Sequence, residues 1–168
     1  AVAPSVSVQA QTAPAQPAPA HPLQQAFGAQ DLDPAIPHPD QLLGFPLGQQ
    51  AATAEQIHAA LQQWAAVSDR LRVVEYARSH QGRPLSVAIV SSPENLARLD
   101  QLQAELHALA DPRGVDAGRA RAIIERAPAV AYIGHSIHGN ETSGGDAALG
   151  LIYGLTGALY SNDRMRLE

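Results

Sequence analysis

Two histidines and a glutamate recur at intervals of three in the stretch "AYIGHSIHGNETSGG", Ala131 to Gly145: His135, His138 and Glu141. Neutral imidazole and carboxylate are ordinary ligands for Zn²⁺, and catalytic zinc commonly takes three protein donors and leaves a place for water. Residues three apart point at one ion when the backbone turns as it does at a helix start. The pattern differs from His-Glu-x-x-His, where the glutamate beside the first histidine serves as base. No acid follows either histidine here, so Glu141 suits a ligand's role better than a base's. Gly139 admits a positive φ, Asn140 tolerates one, and Thr142 or Ser143 can cap a following helix. The same residue types also make an ordinary crowded turn. Spacing alone leaves both readings open.

The elements that must hold this stretch are legible on either side of it. Thr53 and Gln56 form a capping box, and Ile57, Leu61 and Trp64 mark one face of the helix that follows. "LRVVEYA" (Leu71–Ala77) and "LSVAIVSS" (Leu85–Ser92) are β-rich runs joined by "HQGRP", which predicts an antiparallel hairpin. Ser92 followed by Pro93 starts a helix whose stripe is Leu96, Leu99, Leu102 or Gln103, Leu106 and Leu109. A shorter helix is expected from about Asp116 to Arg126, and Pro128 ends it. "AVAYIG" is expected to be a compact buried strand, and Gly145–Gly157 a final helix held by packing. This alternation predicts an α/β fold with a mixed β-sheet flanked by helices. In such sheets the useful loops lie at the carboxyl ends of strands, where His138 and Glu141 would then sit.

The opening of the chain reads differently. Nine of the thirteen prolines precede residue 47, and proline fixes φ and lacks an amide donor. Residues 1–37 are therefore expected to form a disordered linker, with the ordered domain spanning 38–168. Within "HPDQLLGFPLG", Leu42, Leu43, Phe45 and Leu47 supply enough apolar surface to dock as an arm. "SVSVQA" resembles the cleavage end of a secretory signal, so a secreted or periplasmic location is expected.

Composition narrows the partners. A formal charge of −5 argues against nucleic acid, whose binders carry a basic stripe. All eleven basic residues are arginine, a bias to which no function attaches. Without cysteine, disulfides, thiolate metal sites and cysteine nucleophiles are excluded, and any metal must use imidazole and carboxylate. No apolar run reaches the eighteen residues that would suggest a membrane span.

"HGNE" (His138–Glu141), after an apolar run and before a helix, resembles the zinc-binding segment of the zinc metallocarboxypeptidases of the carboxypeptidase A superfamily. Upstream, "ARSHQGRPLSVAIVSS" resembles the family's Gly-Arg-Pro segment and its strand. "SSPENLARLD" and "LLGFPLG" resemble a secreted bacterial group within it. The resemblance covers about Gln41 to the end. It implies a carboxypeptidase-like α/β/α fold, incomplete in this chain, with Zn²⁺ as cofactor and peptide or protein C-termini as substrate. It makes His138 the first zinc ligand and Glu141 the second, leaves His135 outside the ligand motif, and gives Arg83 a structural or near-site place.

The same resemblance calls for a later histidine ligand, an arginine on the scissile carbonyl, an Asn-Arg pair for the terminal carboxylate, a tyrosine and a glutamate base. No histidine follows His138, and "SNDR" (Ser161–Arg164) is not the adjacent pair. The expectation is an N-terminal portion of a longer enzyme, inactive alone. The alternatives are an acyl-amino-acid deacylase of the aspartoacylase or succinylglutamate desuccinylase type, a hydrolase of peptidoglycan peptides, and a non-catalytic binding module on the same fold.

Overall fold

The computed structural model describes residues 23, 32–111 and 113–157. The disorder expected for residues 1–37 therefore lies largely outside the described residues, as does "SNDR". Residues 32–37 depart from that expectation: Ile36 is buried and the Asp33 N–H donates to the Gly157 carbonyl at 2.6 Å.

The arm is ordered. Helix α1 (Pro39–Leu43) begins at His38, whose ring Nδ1 accepts the Asp40 N–H, and ends at Gly44 with a left-handed φ of 80°. Asp40 then accepts the Leu47 N–H at 2.9 Å, which folds the apolar residues of the arm inward. Leu43 and Leu47 are buried, and Leu23 and Ile36 join them in the same core. Helix α2 (Ala54–Val67) carries the expected capping box between Thr53 and Gln56 and buries Ala60, Leu61 and Trp64. Trp64 is fully enclosed, and its indole N–H donates to the Pro37 carbonyl at 2.8 Å. Its ring lies 5.9 Å from that of Tyr153, which in turn meets His38 edge-on at 5.2 Å. Burial, with the charge of Asp40 adding to it, holds the Tyr153 phenol above its usual pKa.

Strands β1 (Leu71–Arg78) and β2 (Pro84–Val90) form the antiparallel hairpin, with Leu71 opposite Val90 and a bulge between Glu75 and Ala77. The turn closes through Gly82 at φ 77°, a left-handed conformation that glycine takes without penalty. Arg78 braces it by donating to the Gly82 carbonyl.

The helix expected from Pro93 is present but divided. Ser92 caps α3 (Pro93–Ala97), the chain breaks step at Arg98, and α4 (Leu99–Ala110) follows. Of the leucine stripe only Leu102 is fully buried; the others are half-buried. Asp116 caps α5 (Ala117–Arg126) as expected, and Ile123 is its buried anchor. Leu102 and Ile123 lie outside the main core cluster. What joins α4 to α5 is largely polar: one oxygen of the buried Glu105 accepts from Arg126 Nε at 3.2 Å, Arg126 Nη2 at 2.8 Å and Gln101 at 2.9 Å.

Those hydrogen bonds, from Arg126 first and Gln101 next, hold the Glu105 carboxyl below its ordinary pKa. A folded value below the unfolded one contributes stability that is complete above the unfolded value and disappears as pH falls through the folded one. Far-UV circular dichroism should therefore show helix content declining below about pH 4, near the ordinary glutamate value. In Glu105→Gln that part of the decline should be missing, because the neutral amide has no such proton to take up. Superimposable acid titrations of parent and variant would contradict this.

One element expected from sequence does not form. "AVAYIG" is not a strand: residues 128–136 lie outside any sheet, and Val130, Tyr132 and Ile133 are 70%, 88% and 57% exposed. A strand needs a neighbouring ladder for its N–H and C=O groups, and among the described residues the sheet holds only β1 and β2. Among the described residues the sheet is thus a two-stranded antiparallel one within a mixed α/β arrangement that includes the six helices from Pro39 to Gly157.

Helix α6 (Ser143–Gly157) closes the core with Leu149 and Tyr153. It packs on α1, α2 and β2. Asp146 in its first turn accepts the Ala52 N–H at 3.0 Å, so the start of the helix is pinned to the residues just before α2. That contact fixes where the chemically interesting loop must end.

Candidate metal centre

The loop between residue 128 and α6 carries His138 and Glu141. It leaves an irregular segment rather than a strand, and it enters a helix whose first turn is anchored. Between them the backbone makes a tight turn, with the Glu141 N–H donating to the His138 carbonyl at 2.9 Å. The same turn brings the side chains together, with His138 Nδ1 2.9 Å from Glu141 Oε1. Both side chains are open to solvent, His138 71% and Glu141 57% exposed. The contact is an ion pair only when the ring is protonated, and otherwise a neutral-to-carboxylate hydrogen bond.

The left-handed backbone is not where the sequence suggested. Gly139 does not adopt a positive φ; Ser136 does, at 53°. For a residue with a Cβ this conformation costs about 1–2 kcal/mol, so the surroundings must compensate. They do so through the Ser136 hydroxyl, which donates to the Glu141 carbonyl at 2.9 Å and lies 3.4 Å from that of His138. On the other side Ser136 is pressed against α6. A Cβ added at Gly144 would lie 2.7 Å from the Ser136 backbone nitrogen. The glycines of "SGG" (Ser143–Gly145) do signal close backbone approach, whereas Ser136 was missed, because a serine in a turn carries no signal of its own.

His135 is half-buried and is not brought into the pair. Among the described residues no group of three His, Asp or Glu side chains forms. Arg83 pairs with Glu55 at 3.3 Å, linking the β-hairpin turn to the start of α2, which is a structural place.

The donor set fits zinc as far as it goes. Imidazole nitrogen and carboxylate oxygen are both zinc ligands, and tetrahedral zinc with bonds of about 2.0–2.1 Å holds neighbouring donors roughly 3.3 Å apart. The observed 2.9 Å needs only a small widening for one ion to replace the bridging proton. Two donors are nevertheless fewer than the three of a catalytic site.

Residues 57–167 match the family model described as zinc carboxypeptidase. The chain belongs to that family of zinc-dependent peptide hydrolases. The deacylase alternative gains no support from the match. Neither the curated proteins nor the solved structures compared with it contain a match. Among the described residues no helix is long and apolar enough to cross a membrane.

Proposed function

We propose that His138 and Glu141 are two of the zinc ligands of a metallocarboxypeptidase that removes C-terminal residues from peptides. The observation that carries this reading is the 2.9 Å approach of Nδ1 to Oε1 within the family match. Bound there, zinc would polarise the scissile carbonyl and lower the pKa of its water enough for attack near neutral pH. The protein's part is to present a neutral imidazole and a carboxylate from one rigid turn at the mouth of α6. No third donor joins the pair among the described residues, and this reading requires one, together with a base that takes the water's proton. The resemblance of "SVSVQA" to a signal cleavage end supports an exported enzyme.

The 168-residue polypeptide on its own should bind zinc weakly. Structural four-ligand sites are worth about 10–16 kcal/mol, and half of that, about 5–8 kcal/mol, corresponds to a Kd of about 1–200 μM. Isothermal titration with ZnCl₂ at neutral pH measures it. Stoichiometric binding at sub-micromolar affinity would show that a further donor is already present in these residues. The enzymatic half of the proposal is tested on an enzyme carrying the complete zinc site. Release of free C-terminal amino acids from peptides, lost on treatment with a zinc chelator and restored by zinc, supports it. Release that survives complete zinc removal would sink it.

A further inference from the structure

We infer that Ser136 is the positioning residue of the metal pair. The inference rests on the reading of His138 and Glu141 as ligands and adds what sets their separation. Three observations converge on this side chain. Its backbone alone among the described non-glycine residues takes a left-handed φ. Its hydroxyl reaches the carbonyls of both ligand residues, at 2.9 Å for Glu141 and 3.4 Å for His138. Its backbone nitrogen sits where a Cβ at position 144 would collide, at 2.7 Å.

Together these make Ser136 a wedge between the ligand turn and α6. The helix is fixed by Asp146 on the Ala52 N–H; Gly144 transmits that position to Ser136 by close backbone approach; and the hydroxyl passes it to the carbonyls of His138 and Glu141. Each ligand side chain is largely open to solvent, so the order of the turn must come chiefly from its backbone. Ser136 supplies that order without touching a metal or substrate. A donor on a side chain that tolerates left-handed φ is what the position requires, which serine meets in part and asparagine would meet as well.

The test uses the full chain labelled with ¹⁵N, as parent, Ser136→Ala, Ser136→Gly, Ser136→Asn and Gly144→Ala, with His138→Ala and Glu141→Ala alongside. Without metal, heteronuclear NOE values at residues 137–141 should drop in Ser136→Ala, Ser136→Gly and Gly144→Ala and stay near the parent's in Ser136→Asn. On titration with Zn²⁺, followed by the His138 ring signals (or the amides of 139–142 where the ring is removed), the first three should bind about tenfold or more weakly, the scale on which groups behind metal ligands act. Ser136→Asn should stay within about threefold of the parent. Unchanged loop order and zinc affinity in Ser136→Ala and Ser136→Gly, while His138→Ala and Glu141→Ala abolish the response, would overturn the role of Ser136 and leave the ligand reading standing. A zinc response that survives both ligand substitutions would remove the ligand reading and this inference with it.

Discussion

Trp64→Ala is expected to lose about 3–5 kcal/mol of stability, the range for emptying a buried tryptophan site. Domains of this size have only about 5–15 kcal/mol in total, so the variant should be largely unfolded or melt many degrees below the parent. The reason is the position of the ring. Trp64 has no exposed surface and touches the two segments that assemble the core from opposite ends of the chain. Through its indole N–H it holds the Pro37 carbonyl, and through its ring face it meets Tyr153 of α6. Truncation would leave both a cavity and an acceptor without its donor, two costs that add. Trp64→Phe keeps much of the volume and should fall between the two. Urea denaturation followed by circular dichroism measures all three, and a midpoint for Trp64→Ala within error of the parent would contradict the placement of this ring as the keystone.

The second large effect concerns chemistry. In an enzyme carrying the complete zinc site, Glu141→Ala or His138→Ala should lower kcat/KM by roughly a thousandfold or more, because the metal brings the pKa of its bound water down to near neutrality. Zinc content after dialysis should fall in parallel. Glu141→Asp, which keeps a carboxylate one methylene further back, should recover part of both. A substitution at His135 should do neither, since that ring stands outside the pair. If alanine at 138 and 141 leaves zinc content and kcat/KM unchanged, the metal lies elsewhere.

How far the sequence alone reaches depends on whether an element is specified locally. The α2 helix was fully legible, because the Thr53–Gln56 capping box and the Ile57, Leu61 and Trp64 stripe are local codes. The β-hairpin was legible for the same reason: two β-rich runs of matching length flank a turn containing Gly82. Ser92–Pro93 and Asp116 marked their helix starts correctly. The break at Arg98 was not visible, since leucine spacing continues across it. "AVAYIG" misled for a different reason. Its residues favour a sheet, but a strand is a property of a pair, and no third strand among the described residues offers a ladder. At the candidate site, type, spacing and family resemblance singled out His138 and Glu141, whose side chains do meet at 2.9 Å. Ser136 could not, because a left-handed serine and a close approach to Gly144 are products of tertiary packing.

The polar knot at Glu105 and Arg126 also bears on how unfolding should be described. Helices α4 and α5 pack chiefly on each other, and their apolar anchors Leu102 and Ile123 stand apart from the cluster built on Trp64. Segments joined this way open locally, at free energies of their own. The molecule thus holds two compartments, one governed by a tryptophan and the other by a carboxylate. A single free energy of unfolding would average over them. Since the first turn of α6 is tied to Ala52 at the entrance to α2, the His138–Glu141 pair should share its fate with the tryptophan compartment, and the α4–α5 hairpin is expected to open while that pair stays in place.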